Sequence, residues 1–185
     1  MGLLCGERAA NSRSSIRFTI KPGARTLYPP RTLLHLVLYH PAIPQNTGNI
    51  ARTTVGMGAH LHLIHPMKFE ITEHAVRRAG LDYWPSVTLT EHLSDEAFLE
   101  WLGDRRPWLV TKFGAQRFDE PAYAEGDVVI LGNENTGLPE AWRERWEDRT
   151  VTIPMPGPIN GGENIRSYNL ANAAAIVLAH ARLKM

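Results

Sequence analysis

Residues 151–172 read VTIPMPGPINGGENIRSYNLAN. A short β-branched run ends in Ile153-Pro154-Met155. A proline- and glycine-rich loop, residues 154–162, follows, and Arg166-Ser167-Tyr168-Asn169 opens a closing helix expected over residues 167–182. Leu170, Ala171, Ala174, Ala175 and Leu178 recur at helical spacing and give that helix one packing face. Its first turn leaves backbone N–H groups without intrahelical partners, a natural seat for anions and carboxylates. Ser167 is the residue expected to cap it, and Asn169 and Asn172 face either solvent or a cleft.

The same alternation of strand, loop and helix extends upstream. Residues 128–131 (VVIL) form a fully apolar strand, followed by 131–139, LGNENTGLP, with Pro139 suited to the first position of a helix running to about residue 146. Gly132 and Gly137 flank Glu134 there. The spacing G-x-E-x-x-G is neither the dinucleotide fingerprint nor the P-loop, so an ordinary tight turn is the simple reading. Residues 33–39 (LLHLVLY) form a strand of ordinary length, ended by Pro41 and Pro44, and residues 46–58 read as a helix capped by Asn46 or Thr47. Further strands are expected at 61–64, 87–89, 108–110 and 151–153, and further helices at 72–79 and 94–102. Strands that alternate with helices imply an α/β domain, a parallel sheet flanked by helices on both faces. Such sheets bind ligands beyond the carboxyl ends of their strands, which singles out residues 41–52, 132–138 and 154–172.

The bulk composition narrows the classes. At 185 residues, with 43% hydrophobic and 21% charged side chains, the chain suits one globular domain. Two regions are expected: a basic arm at residues 1–31 and a folded domain at 32–185. The arm carries six basic groups and one acid, while the rest carries fourteen basic and eighteen acidic groups. The folded body is therefore not broadly basic, and any nucleic-acid contact has to come from a local patch or from the arm. The arm's composition fits a disordered extension, a transit peptide or upstream sequence without a role. The single cysteine, Cys5, excludes an intramolecular disulfide and fits a reducing, cytoplasmic setting. No apolar run approaches the ~20 residues that span a bilayer.

Taken together and in order, proline-flanked N-T-G-N-I-x-R-T, then G-x-E-x-x-G-L-P, then I-P-M followed by R-S-x-N-L-x-N resemble the SPOUT superfamily of RNA methyltransferases. The closest likeness is to the tRNA (cytidine/uridine-34) 2′-O-methyltransferase family, also called TrmL or YibK. Residues 61–66 (LHLIHP) and 77–83 (RRAGLDY) are similar to that family as well. The resemblance spans about residues 33–181. It implies a SPOUT-type fold with a C-terminal trefoil knot, S-adenosylmethionine as methyl donor, a tRNA anticodon loop as substrate and a homodimer whose RNA site is built by both subunits. By the same resemblance the cofactor residues are Val110, Thr111, Gly132, Ile153, Met155 and Ser167. Arg52, Asn46 and Glu134 are the catalytic residues, and Arg52, Arg166 and Asn169 the RNA-contacting ones. Arg52 is the family's invoked residue, as base or as electrostatic stabiliser. Guanidinium groups hold their proton tightly, which makes phosphate binding and stabilisation of a developing alkoxide the milder role.

The chain departs from the family pattern in places. The link at residues 156–165 is longer, Asn133 stands where relatives often carry proline, and Ala179-His180 replaces a common Tyr-Glu pair. The long link opens one alternative, methylation of another tRNA position or of ribosomal RNA; a knotted RNA-binding protein without catalysis is a separate alternative, against which the retained Arg52, Glu134, Ser167 and Asn169 stand. The eight histidines show no ligand spacing with cysteine, and no metal is expected. His60 and His62 alternate along a strand and can face one side.

Overall fold

The computed structural model describes residues 34–71, 82–158 and 162–185. The basic arm and the helix expected at 72–79 lie outside the described residues. Seven strands form one sheet: β1 (His35–Tyr39), β2 (His60–Ile64), β3 (Leu89–His92), β4 (Trp108–Val110), β5 (Gln116–Arg117), β6 (Val128–Leu131) and β7 (Thr150–Thr152), in the order β3-β2-β1-β6-β4-β7-β5. Every pairing is parallel. Among the described residues four α-helices cover it: α1 (Pro44–Met57), α2 (Asp95–Leu102), α3 (Glu140–Arg145) and α4 (Leu170–Lys184). No helix among the described residues is long and apolar enough to cross a membrane.

The period-two alternation of each strand divides the core. Leu36, Leu38, Leu61, Leu63, Val129 and Leu131 point to the face covered by α1 and α4, where Ile50, Ala51, Ala174, Val177 and Leu178 meet them. Val37, Ile64, Val128 and Ile130 point to the other face, against Phe98 and Leu102 of α2 and Trp142 of α3. Both faces are apolar because both are covered, as parallel sheets require. On α4 the buried residues Ala174, Val177, Leu178 and Ala181 follow the helical repeat.

Several boundaries differ from the sequence expectation. β3 starts at Leu89 and runs to His92, because residues 84–86 form a 3₁₀ turn ahead of it and polar Thr90 and His92 pair with β2. α1 begins at Pro44, with Ile43 as its N-cap and no capping side chain from Asn46. Pro139 sits at the N-cap of α3, one residue before the helix. Asn169, not Ser167, caps α4: its Oδ1 accepts from Ala171 N at 2.9 Å and Asn172 N at 3.4 Å. β5 is an addition, a two-residue polar edge strand on β7.

Candidate active site

A hollow of about 430 Å³ opens beyond the carboxyl ends of β4, β6 and β7. Its volume falls in the range of roughly 300–1,000 Å³ typical of small-molecule sites. Val110 and Thr111 leave β4 into it, Gly132 follows β6, and Ile153 and Met155 follow β7. Ser167 and Asn169 close it from the start of α4, and Asn46 and Glu134 line it from the α1 side. All six expected cofactor residues thus share one hollow, together with Asn46, Glu134, Arg166 and Asn169. Arg52 does not line it. That side chain is exposed two turns along α1, its guanidinium 5.1 Å from the Tyr83 ring centroid. Tyr83 in turn donates to Gly48 O at 2.8 Å.

Why the hollow exists can be read from its turns. Asn133 and Gly137 exchange backbone hydrogen bonds of 3.1 and 2.8 Å, closing a tight loop, and Gly137 takes φ +74°, where a side chain would strain. Asn133 Oδ1 accepts from the backbone N–H of Asn135 and Thr136, an Asx turn that holds the loop open toward the hollow. A Cβ on Gly132 would lie 2.4 Å from Gly137 C, so backbone passes over backbone there. Upstream, His40 leaves β1 at φ +46°, held by a 2.9 Å contact from Nε2 to Asp95 Oδ1 and by stacking on Tyr39 at 3.8 Å.

One hydrogen-bonded chain ties the three segments together. Glu134 Oε2 accepts from Ala42 N at 2.9 Å, and Oε1 accepts from Ile43 N at 3.2 Å and Asn46 Nδ2 at 3.0 Å. The carboxylate thereby fixes the backbone of Ala42 and Ile43, the two residues just ahead of α1, and its charge faces the helix N-terminus, where the dipole favours it. Asn46 is 5% exposed and hands the chain on: its Oδ1 accepts from Asn169 Nδ2 at 2.9 Å. Asn169 then caps α4 with its own oxygen. Tyr168 adds a bond from its hydroxyl to Pro154 O.

The rim is basic and carries an exposed aromatic. Lys112, Arg143 and Arg166 border the hollow, and Phe113 between them is 66% exposed. Lys112 Nζ lies 5.0 Å and the Arg143 guanidinium 5.4 Å from the Phe113 ring centroid. Sequence motifs gave no sign of Lys112, Phe113 or Arg143. The position of Lys112 and Phe113 just past the tip of β4 was the available signal.

The apolar walls from Val110, Leu131, Leu138 and Ile153, the glycine approach at 132 and the backbone groups beside them fit an adenosine and an amino-acid moiety together. Together these features define a class: a parallel α/β sheet with a nucleoside-sized hollow at its carboxyl edge. The chain belongs to the SpoU rRNA methylase family, which it matches over residues 33–179. It is 39% identical over 150 residues to the tRNA (cytidine(34)-2'-O)-methyltransferase of Methylovorus glucosotrophus, covering 80% of this chain and 94% of that one. A solved structure described as giving insight into the 2-OH methylation of C/U34 on tRNA is 44% identical, with a TM-score of 0.72 over 81% of this chain and 94% of the other. The SpoU methyltransferase AviRb from Streptomyces viridochromogenes, solved with the cofactor AdoMet, is 26% identical with a TM-score of 0.66, covering 84% of this chain and 61% of that one.

Proposed function

We propose that this protein transfers a methyl group from S-adenosylmethionine to the ribose 2′-hydroxyl of nucleotide 34 in a tRNA. The observation that carries the reading is the convergence of the β4, β6 and β7 tips on one hollow, locked by Glu134, Asn46 and Asn169. Bound there, S-adenosylmethionine supplies an electrophilic methyl group on a sulfonium.

The protein's share of the chemistry is positioning and electrostatics. Gly132, Ile153 and Met155 hold the adenosine side, and Ser167 meets the donor from the start of α4. As the new O–C bond forms, the methyl–sulfur bond breaks to leave a neutral thioether and the hydroxyl proton passes to water, and developing negative charge on the 2′-oxygen calls for a nearby cation. Arg52 fills that role from outside the hollow, on the exposed side of α1, by engaging the adjoining phosphate and the oxygen itself. Arg166 and Asn169 shape the substrate side. The rim formed by Lys112, Phe113 and Arg143 suits an RNA strand, cations for phosphate and a ring for a base.

A C-terminal trefoil knot belongs to this reading. Its support is that β7 lies between β4 and β5, two strands joined directly through residues 111–115, so the chain enters a gap closed on itself. The close approach at Gly114, where a Cβ would sit 2.3 Å from Val151 C, supports the reading, since β7 passes tight against the 111–115 connection there. A homodimer and a cytoplasmic setting complete the proposal. They account for a catalytic cation that the hollow of one chain does not include and for the single cysteine.

The test is to incubate the protein with S-adenosylmethionine and a mixed tRNA and rRNA pool and to map the modified nucleotide. A 2′-O-methyl mark at position 34 is expected. A mark elsewhere in tRNA or in rRNA overturns the substrate, and absence of both cofactor binding and transfer leaves an RNA-binding protein without catalysis.

A further inference from the structure

The opposite end of the sheet carries a cluster that methyl transfer does not use. His35 opens β1 and His60 opens β2, directly paired in register, and His62 follows on the same face. One side-chain nitrogen from each of the three lies within 4.8 Å of the other two. His35 Nδ1 and His62 Nε2 are 2.9 Å apart. We propose that His35, His60 and His62 form a binding site for one divalent transition-metal ion of the zinc type, placed at the amino ends of β1 and β2 and remote from the methyl-transfer hollow.

The surroundings of the three imidazoles are those of a metal site. Metal-binding histidines carry their second ring nitrogen on a hydrogen-bond partner that fixes ring and tautomer. His60 Nε2 is 2.9 Å from Thr90 Oγ1, which leaves Nδ1 as the nitrogen His60 offers. His62 Nδ1 is 3.0 Å from His92 Nε2, which leaves Nε2. Thr90 and His92 both come from β3, so the adjacent strand supplies the orienting shell as one unit. An ion with bonds of about 2.0–2.1 Å in tetrahedral geometry sets ligand nitrogens about 3.3 Å apart. The 2.9 Å between His35 Nδ1 and His62 Nε2 lies just under that value, no pair exceeds 4.8 Å, and His35 and His60 are half-buried and not fully enclosed.

Binding needs no net loss of protons from the cluster: a proton carried by His35 on Nδ1 moves to Nε2 when Nδ1 takes the ion. Arg105 acts against the ion through its own positive charge, its guanidinium lying 4.8 Å over the Trp101 ring. Trp101 itself roofs the cluster, 4.2 Å from the His62 ring, and excludes solvent from that side. Three protein nitrogens leave a fourth position for water, the arrangement of an open site.

The sequence alone did not point here, because two of the ligands are separated from the third by a helix. The test uses the full chain without an affinity tag, stripped with a chelator and titrated with Co²⁺ and with Zn²⁺. One equivalent of Co²⁺ is expected to produce the intense visible absorption of a four-coordinate ion, displaced by Zn²⁺, and Zn²⁺ is expected to raise the melting temperature. The double variant His35→Asn/His60→Gln, whose changes are half-exposed, is expected to weaken binding by at least about a hundredfold, and Thr90→Val by about tenfold. His65→Gln, a change at the exposed contact with Glu91, is expected to leave binding unchanged. A cobalt spectrum that stays that of the free ion, or binding that survives the double variant, overturns the site.

Discussion

Gly132 shows how little freedom single residues have at the hollow. Backbone of Gly137 and Leu138 lies 2.4 and 2.6 Å from where its Cβ would be, and neither is a flexible side-chain end. Gly132→Ala is therefore expected to displace the loop at 132–138 and to abolish S-adenosylmethionine binding, measured by calorimetry; binding within about threefold of the parent would show that the loop yields. Arg52 poses the opposite case. It is exposed and outside the hollow, so Arg52→Ala should fold and bind cofactor normally. If the guanidinium stabilises the reacting oxygen, kcat falls by about 10²–10³ while the cofactor Kd stays put. Turnover near that of the parent would remove Arg52 from the reaction.

At the scale of elements, α4 joins its own cap to the wall of the hollow through one side chain. Asn169 caps the helix with its oxygen and reaches Asn46 with its nitrogen. Asn169→Ala loses both and should cost about 1 kcal/mol of cap stability. Asn169→Asp keeps the acceptor for the cap but sets a carboxylate against Asn46 Oδ1. Its melting temperature should stay near the parent's while methylation slows, and a variant that methylates normally would show that the Asn46 link is dispensable. The sequence read this region well in outline and wrongly in detail. The apolar strands and the helical repeat of α4 were plain because burial writes itself as periodicity. The spacing puts the start of α1 at Asn46, two residues late, because the backbone just ahead of the helix is fixed by Glu134, about ninety residues away, and no local signal shows an anchor that distant. β3 was read too early for a related reason: Thr90 and His92 are strand residues made acceptable by polar partners on β2. The three segments that meet at the hollow are legible as loops at strand tips, whereas Lys112, Phe113 and Arg143 join the rim only through folding.

For the whole molecule, the buried histidines set a response to acid. His62 and His35 are held well below the ordinary histidine value, and His60 and His92 are lowered, each chiefly by burial. In the unfolded chain all four titrate near 6.5. Below that pH the unfolded chain binds more protons than the folded one, so stability falls as the pH falls. The loss starts near pH 6.5 and continues toward the folded values, about 4 for His35 and lower for His62. His62, almost fully enclosed, contributes a slope of at most about 1.4 kcal/mol per pH unit across that window. Urea unfolding of chelator-treated protein at pH 7, 6 and 5 should show a midpoint that drops steadily. His62→Gln, though less stable at pH 7, should show a shallower drop, since it removes one of the titrating groups. A midpoint constant from pH 7 to 5 in the parent protein would mean that these imidazoles accept protons without unfolding, and that the layer beneath Trp101 opens to water far more readily than its packing implies.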